Sequence, residues 1–133
     1  MNLWKSLSVA ALCVTTVSAF AAPPPRAFVT HNNTGVESNA FIDGTIASAH
    51  PTRAFAVNSV SWIAVRMMCF QHAPNNLCSA VVKMETDSAE PKAIGQVTLN
   101  LVTGDINPKM ITGNGYTLVV NGPGEVTLSK VGG

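Results

Sequence analysis

Cys69 and Cys78 bracket a short loop inside the most apolar stretch of the chain, Val60 to Glu85, which reads VSWIAVRMMCF, QHAPNNL, CSAVVKME. The chain opens as an export leader does, and in an exported protein two remaining cysteines are most simply one disulfide. That bond constrains the fold more than any other feature, because it ties two apolar arms side by side. The first arm is rich in Val, Ile, Trp and Phe and the second carries Val81-Val82, residues that favour strands. The expectation is a central antiparallel hairpin, Val60–Phe70 against Cys78–Glu85. With Cys69 opposite Cys78, Met67 faces Ala80, Val65 faces Val82 and Ile63 faces Met84, an all-apolar surface. The other surface carries Trp62, Ala64, Arg66, Met68 and Phe70 with Ser79, Lys83 and Glu85, and a slip of one residue would mix the two.

Lys5 precedes an apolar run from Leu7 to Val17, and Ala19-Phe20-Ala21 fits the small-x-small cleavage rule. A signal peptide is therefore expected over residues 1–21. Its apolar run is about half the ~20 residues that a spanning helix needs, so no transmembrane segment is expected in the mature chain. The third cysteine, Cys13, follows Leu12, which is too bulky for a lipoprotein signal. Residues 22–27 read as a Pro-rich lead-in whose prolines lack ladder donors, and residues 28–133 as a single β domain. The chain has 8 basic and 7 acidic residues, and loss of Lys5 with the leader balances them. A balanced chain without a Lys/Arg cluster argues against nucleic acid and anionic membrane as partners. Charged residues make up 11% of the chain, less than half the roughly 25% of ordinary soluble domains. Ser, Thr and Asn supply the polarity instead.

The rest of the chain reads as short strands between turns. Ala27–Thr30 is β-prone and ends at the turn-rich cluster His31-Asn32-Asn33-Thr34-Gly35. Phe41–Ile46, around Asp43-Gly44, is a tight hairpin or a bulged strand, and residues 47–58 form a long surface connection. Ile94–Leu101 alternates, with Val97, Leu99 and Leu101 inward. Ile106, Met110 and Ile111 form a short returning strand broken at Pro108. Tyr116–Lys130 is a second hairpin around Gly122-Pro123-Gly124, pairing Val120 with Val126, Leu118 with Leu128 and Tyr116 with Lys130. No stretch beyond the leader carries a 3.6-residue stripe. The pattern predicts an all-β fold, a small antiparallel β-sandwich of six to eight short strands, with a small β-barrel as the alternative.

Few residue patterns point to chemistry. His31, His50 and His72 fall in expected loops, no serine sits in a Gly-x-Ser-x-Gly elbow, and no Gly-rich phosphate loop opens a helix. No enzyme activity and no cofactor are expected. Met67-Met68-Cys69-Phe70-Gln71-His72 offers ligands that soft Cu(I) prefers, with Met84 as a further donor. An oxidised Cys69 weakens that set, and Met is a common core filler. Trp62, Arg66, Met68 and Phe70 on one strand face, with His72 in the adjoining loop, are residue types enriched at protein interfaces. The simpler account is a second sheet covering that face, with the Arg66 stem lying over Trp62. Asn32-Asn33-Thr34 matches a glycosylation sequon. The expected function is that of a small exported, non-catalytic β domain, periplasmic or extracellular, binding an unknown protein or envelope component. Copper binding through His72, Met67 and Met84 is the alternative, and an enzyme with a dispersed site is the third.

Overall fold

The structure is a computed structural model that describes residues 23–132; the leader expected over residues 1–21 lies outside the described residues. The alternating segments do become ladders. In chain order they are β1 (Ala27–Asn32), β2 (Ser38–Ile42), β3 (Ile46–Ala47), β4 (Val57–Ser61), α1 (Trp62–Met68), a single 3-10 turn (Pro74–Asn76), β5 (Leu77–Met84), β6 (Lys92–Asn100), β7 (Ile106–Asn107), β8 (Met110–Gly113), β9 (Tyr116–Gly122) and β10 (Glu125–Lys130). They form two five-stranded sheets, β4-β1-β10-β9-β8 and β3-β2-β5-β6-β7, packed as a small β-sandwich. β3 and β7 are two-residue edge strands. All neighbours run antiparallel except β1 and β10, which pair in parallel.

The register of the last hairpin is the expected one: Val126 pairs with Val120, Leu128 with Leu118 and Lys130 with Tyr116. Glu125 also pairs with Gly122 across a bulge, which shortens the turn to Pro123-Gly124. Phe41–Ile46 is a tight hairpin, with Ile42 opposite Ile46. In β5, Cys78, Val82 and Met84 are buried as expected. They pack in one core with Val97, Leu99, Ile106, Leu118, Val126 and Leu128. The partners of β5 are β2 and β6, however: Ala80 pairs with Ile42 and Val97, and Val82 with Ala40 and Gly95.

The expected strand over Val60–Phe70 is the main correction. β4 ends at Ser61, and α1 takes the next seven residues. The hairpin register pairing Met67 with Ala80, Val65 with Val82 and Ile63 with Met84 therefore does not form. An all-round apolar run suits a buried strand or a buried helix equally well. Two interactions favour the helix: the neighbouring Ser61 hydroxyl caps it by accepting from the Ala64 N–H at 3.2 Å, and the Trp62 N–H donates to the sequence-distant Arg26 carbonyl at 2.9 Å. His31, expected in a turn, lies in β1 with its Nε2 2.6 Å from Glu125.

The two sheets are pinned on one side and frame a gap on the other. On the β6–β8 side the backbones nearly touch. A Cβ on Gly113 would lie 2.5 Å from the Ile94 carbonyl oxygen, and one on Gly95 would lie 3.3 Å from Ile111. On the opposite side, Ser38 and Thr52 exchange backbone hydrogen bonds at 2.9 and 2.8 Å, holding the long connection against β2. Asn32 completes that anchor. Its amide donates to the carbonyls of Val36, Thr52 and Arg53, and its oxygen accepts from the N–H and hydroxyl of Thr34. At 1% exposure, Asn32 has no room for a glycan, so the sequon is structural.

Near the pinned side, the buried Tyr116 donates its hydroxyl to Glu85 Oε2 at 3.0 Å. Burial of the phenol, and then the bond to the carboxylate, raise its pKa above the ordinary value of 10.0. The folded state holds the proton more tightly than the unfolded chain does. The stability this contributes is complete below pH ~10 and is lost as pH rises through the folded value. Urea denaturation across alkaline pH is expected to show part of the fall in stability above pH ~10 disappear in Tyr116→Phe. Identical profiles for the two proteins would refute the assignment.

Candidate functional site

α1 caps the end of the sandwich between β4 and the disulfide. Its inner residues are spaced for a helix: Trp62, Val65 and Cys69 are buried and Met68 is half-buried against the core. The Trp62 indole fills the space above Gly124, where a Cβ would lie 3.2 Å from the ring. Its Nε1–H donates to the Leu101 carbonyl at 3.0 Å. Cys69 closes the helix and bonds Cys78 at the start of β5, with a Cα–Cα distance of 5.9 Å. The helix is thus fixed at its first residue by a hydrogen bond and at its end by a covalent bond.

The outer residues of the same segment are apolar too. Ile63, Met67 and Phe70 are 73%, 72% and 72% exposed. Spaced at i, i+4 and i+7, they line up along one side of α1 and its C-terminal extension. Arg66 lies beside them, exposed, with one guanidinium nitrogen 3.4 Å from the Leu101 carbonyl. Among the described residues no carboxylate lies within ion-pair distance of it. Between Arg66 and the disulfide loop lies an open recess lined by Arg66, Phe70, Gln71, Pro74, Asn76 and Leu101. The loop itself is held in two places. The Leu101 N–H donates to the Asn76 carbonyl at 2.8 Å, and His72 Nδ1 lies 2.6 Å from Asp43 Oδ2 on the β2–β3 turn.

The structure separates the surface residues expected from sequence. Trp62 is buried at 6% exposure and anchors the helix from beneath, and Met68 also points toward the core. Arg66 and Phe70 come together at the recess, while His72 is engaged with Asp43 at the base of the loop. Sequence reasoning missed Ile63 and Met67 as surface residues, because in a strand register both face inward. The signal that could have found them is the spacing of Trp62, Val65 and Cys69, which leaves Ile63, Met67 and Phe70 on the far side of a helix.

The copper set does not assemble. Met84 is fully buried six residues along β5 from Cys78, roughly 20 Å at ~3.3 Å per residue. Met67 points outward at the opposite end, and Cys69 is in the disulfide. Among the described residues no three His, Cys, Asp or Glu side chains group as metal ligands, and no helix is long and apolar enough to cross a membrane. Neither His31–Glu125 nor His72–Asp43 has a hydroxyl or thiol bonded to the remaining ring nitrogen among the described residues, as an activated nucleophile requires.

No curated protein matches the chain. The crystal structure of the Legionella pneumophila type II secretion system substrate NttC superposes with a TM-score of 0.79 at 49% sequence identity, covering 80% of this chain and 98% of that one. A family model described as T2SS substrate NttC matches residues 1–131. The chain belongs to the NttC family of type II secretion substrates and is an exported protein.

Proposed function

We propose that the protein works outside the cell as a non-catalytic binding module, and that the outer side of α1 with the Arg66 recess is its binding surface. The observation that carries this reading is the exposed row Ile63, Met67 and Phe70 beside Arg66, which has no carboxylate within ion-pair distance among the described residues, on a helix fixed at both ends. Large apolar side chains left in water on a rigid element favour a partner that covers them. Met, Phe and Arg are also the residue types enriched in interface centres. A rigid helix loses little conformational freedom on association, so more of the burial energy remains as affinity.

The chemistry favours an acidic, apolar segment of another extracellular protein. Arg66 has guanidinium N–H groups to spare in a planar fork that suits a carboxylate, and the apolar row takes the neighbouring side chains. A lipid surface fits less well. Electrostatic adsorption yields about 1 kcal/mol per basic residue and needs a cluster of them, whereas this surface has one. Synthetic peptides alternating Asp or Glu with Leu or Phe test the reading by fluorescence anisotropy against the full mature protein. Binding is expected to weaken at least tenfold in Arg66→Glu and in Phe70→Ala, with unchanged circular dichroism in both. Equal affinity in both variants, or binding to phosphatidylglycerol vesicles but not to peptides, would overturn it.

A further inference from the structure

The gap between the sheets on the side away from Gly95 and Gly113 holds a cavity of about 120 Å³, lined chiefly by apolar side chains. It exists because the inward positions of β2 and β5 carry small residues there. Ala40 and Ala80 stand opposite Phe28, Thr30 and Val60 of the other sheet, and none of these fills the space between. Met68 and the disulfide form part of its lining. The close β6–β8 approach, the disulfide-tied α1 and the Ser38–Thr52 pair, which fastens the β3–β4 connection to β2, frame this gap.

Polar groups among the lining residues mark the way in. The lining includes Asn39, Ser48, His50 and Asn58, all half-buried or exposed. They form a bonded frame that joins the sheets. Asn39 donates to the Ser48 carbonyl at 2.8 Å and Asn58 to the His50 carbonyl at 3.0 Å, while the His50 N–H donates to the Ser48 hydroxyl at 2.9 Å. Two side-chain groups remain available within this frame. Among the described residues the Thr30 hydroxyl and the His50 ring have no hydrogen-bond partner, and both belong to the cavity lining.

We infer that this cavity is a binding site for an uncharged, ring-sized apolar molecule carrying one hydroxyl or similar group at its outer end. An apolar cavity of about 150 Å³ takes up benzene or xenon and otherwise stays dry, and the present volume is of that order. A formal charge fits poorly, because the lining holds no Asp, Glu, Lys or Arg side chain to offset its desolvation. One hydrogen-bonding tip fits, because the Thr30 hydroxyl and the His50 ring can each serve it. The site is distinct from the α1 surface and stands or falls independently of the peptide-binding reading.

Benzene and phenol are the probes, titrated into ¹⁵N-labelled mature protein. Saturable shifts are expected at the amides of Phe28, Thr30, Ala40 and Ala80, with phenol bound more tightly than benzene. Thr30→Val is expected to reduce phenol affinity about fivefold, the equivalent of one neutral hydrogen bond, and to leave benzene unchanged. Ala80→Leu should abolish both while leaving peptide binding at α1 intact. Should that variant fold poorly, crystals of the unaltered protein under xenon pressure are expected to show an atom between β2 and β4. No saturable shift with either probe, shifts confined to Ile63–Phe70, or a crystal without xenon in the gap would overturn the assignment.

Discussion

Trp62→Ala is expected to destabilise the protein by about 3–5 kcal/mol, the range for removing a buried large aromatic side chain. The indole occupies the space that Gly124 leaves open and satisfies the Leu101 carbonyl through Nε1. Its loss removes apolar burial and opens a void at the base of α1. Among the described residues it also leaves that carbonyl with only the long bond from Arg66 at 3.4 Å. Trp62→Phe separates the contributions. Most of the apolar contact is retained and the hydrogen bond is lost, so a smaller cost of about 1–2 kcal/mol is expected. Urea denaturation followed by circular dichroism checks both values. A loss below 1 kcal/mol for Trp62→Ala would mean that α1 is held by the disulfide alone. Gly124 and the outer row Ile63–Met67–Phe70 would then need a different account.

Removing the Cys69–Cys78 bond is expected to cost roughly 2–3 kcal/mol, from the chain entropy of closing a loop of about ten residues. The two cysteines are nine positions apart, and the bond is the covalent tie between the end of α1 and β5. The expected effect is also local. Hydrogen exchange should accelerate over Trp62–Leu77 more than over the β9–β10 hairpin, whose ladder does not depend on the bond. Comparing urea midpoints of the native protein and Cys69→Ala/Cys78→Ala tests the magnitude. An unchanged midpoint would show that the Leu101–Asn76 and His72–Asp43 bonds already hold the loop. Because this loop forms one wall of the Arg66 recess, the same variant is expected to weaken peptide binding even where it remains folded.

Much of the sandwich is legible residue by residue. Val97, Leu99 and Leu101 are buried as their alternation requires, and Leu118–Leu128 and Val120–Val126 pair as the hairpin pattern demands. In these segments one face is apolar and the other polar, so a period of two is imposed by burial on one side. Val60–Phe70 lacks that contrast. With Arg66 as its one charged residue, it satisfies the two-residue and the 3.6-residue repeats equally, and strand propensity points the wrong way. What decides in favour of a helix is remote in sequence: the Arg26 carbonyl, the pocket over Gly124 and the Leu101 carbonyl. The candidate surface inherits the same ambiguity. Arg66 and Phe70 are exposed together, but Trp62 is turned inward and Ile63 and Met67 are turned out.

The sequence by itself determined the all-β class, the disulfide partners and the faces of β5, β6, β9 and β10. Each follows from local alternation or from Cys69 and Cys78 being the two cysteines after Cys13. Only the tertiary structure decided the conformation of Val60–Phe70, the partners of β5 and the gap between the sheets. Those depend on which surfaces meet across long stretches of chain. A helix at a strand's end, or a space left by Ala40 and Ala80 facing Phe28, leaves no periodic trace in the residues that make it.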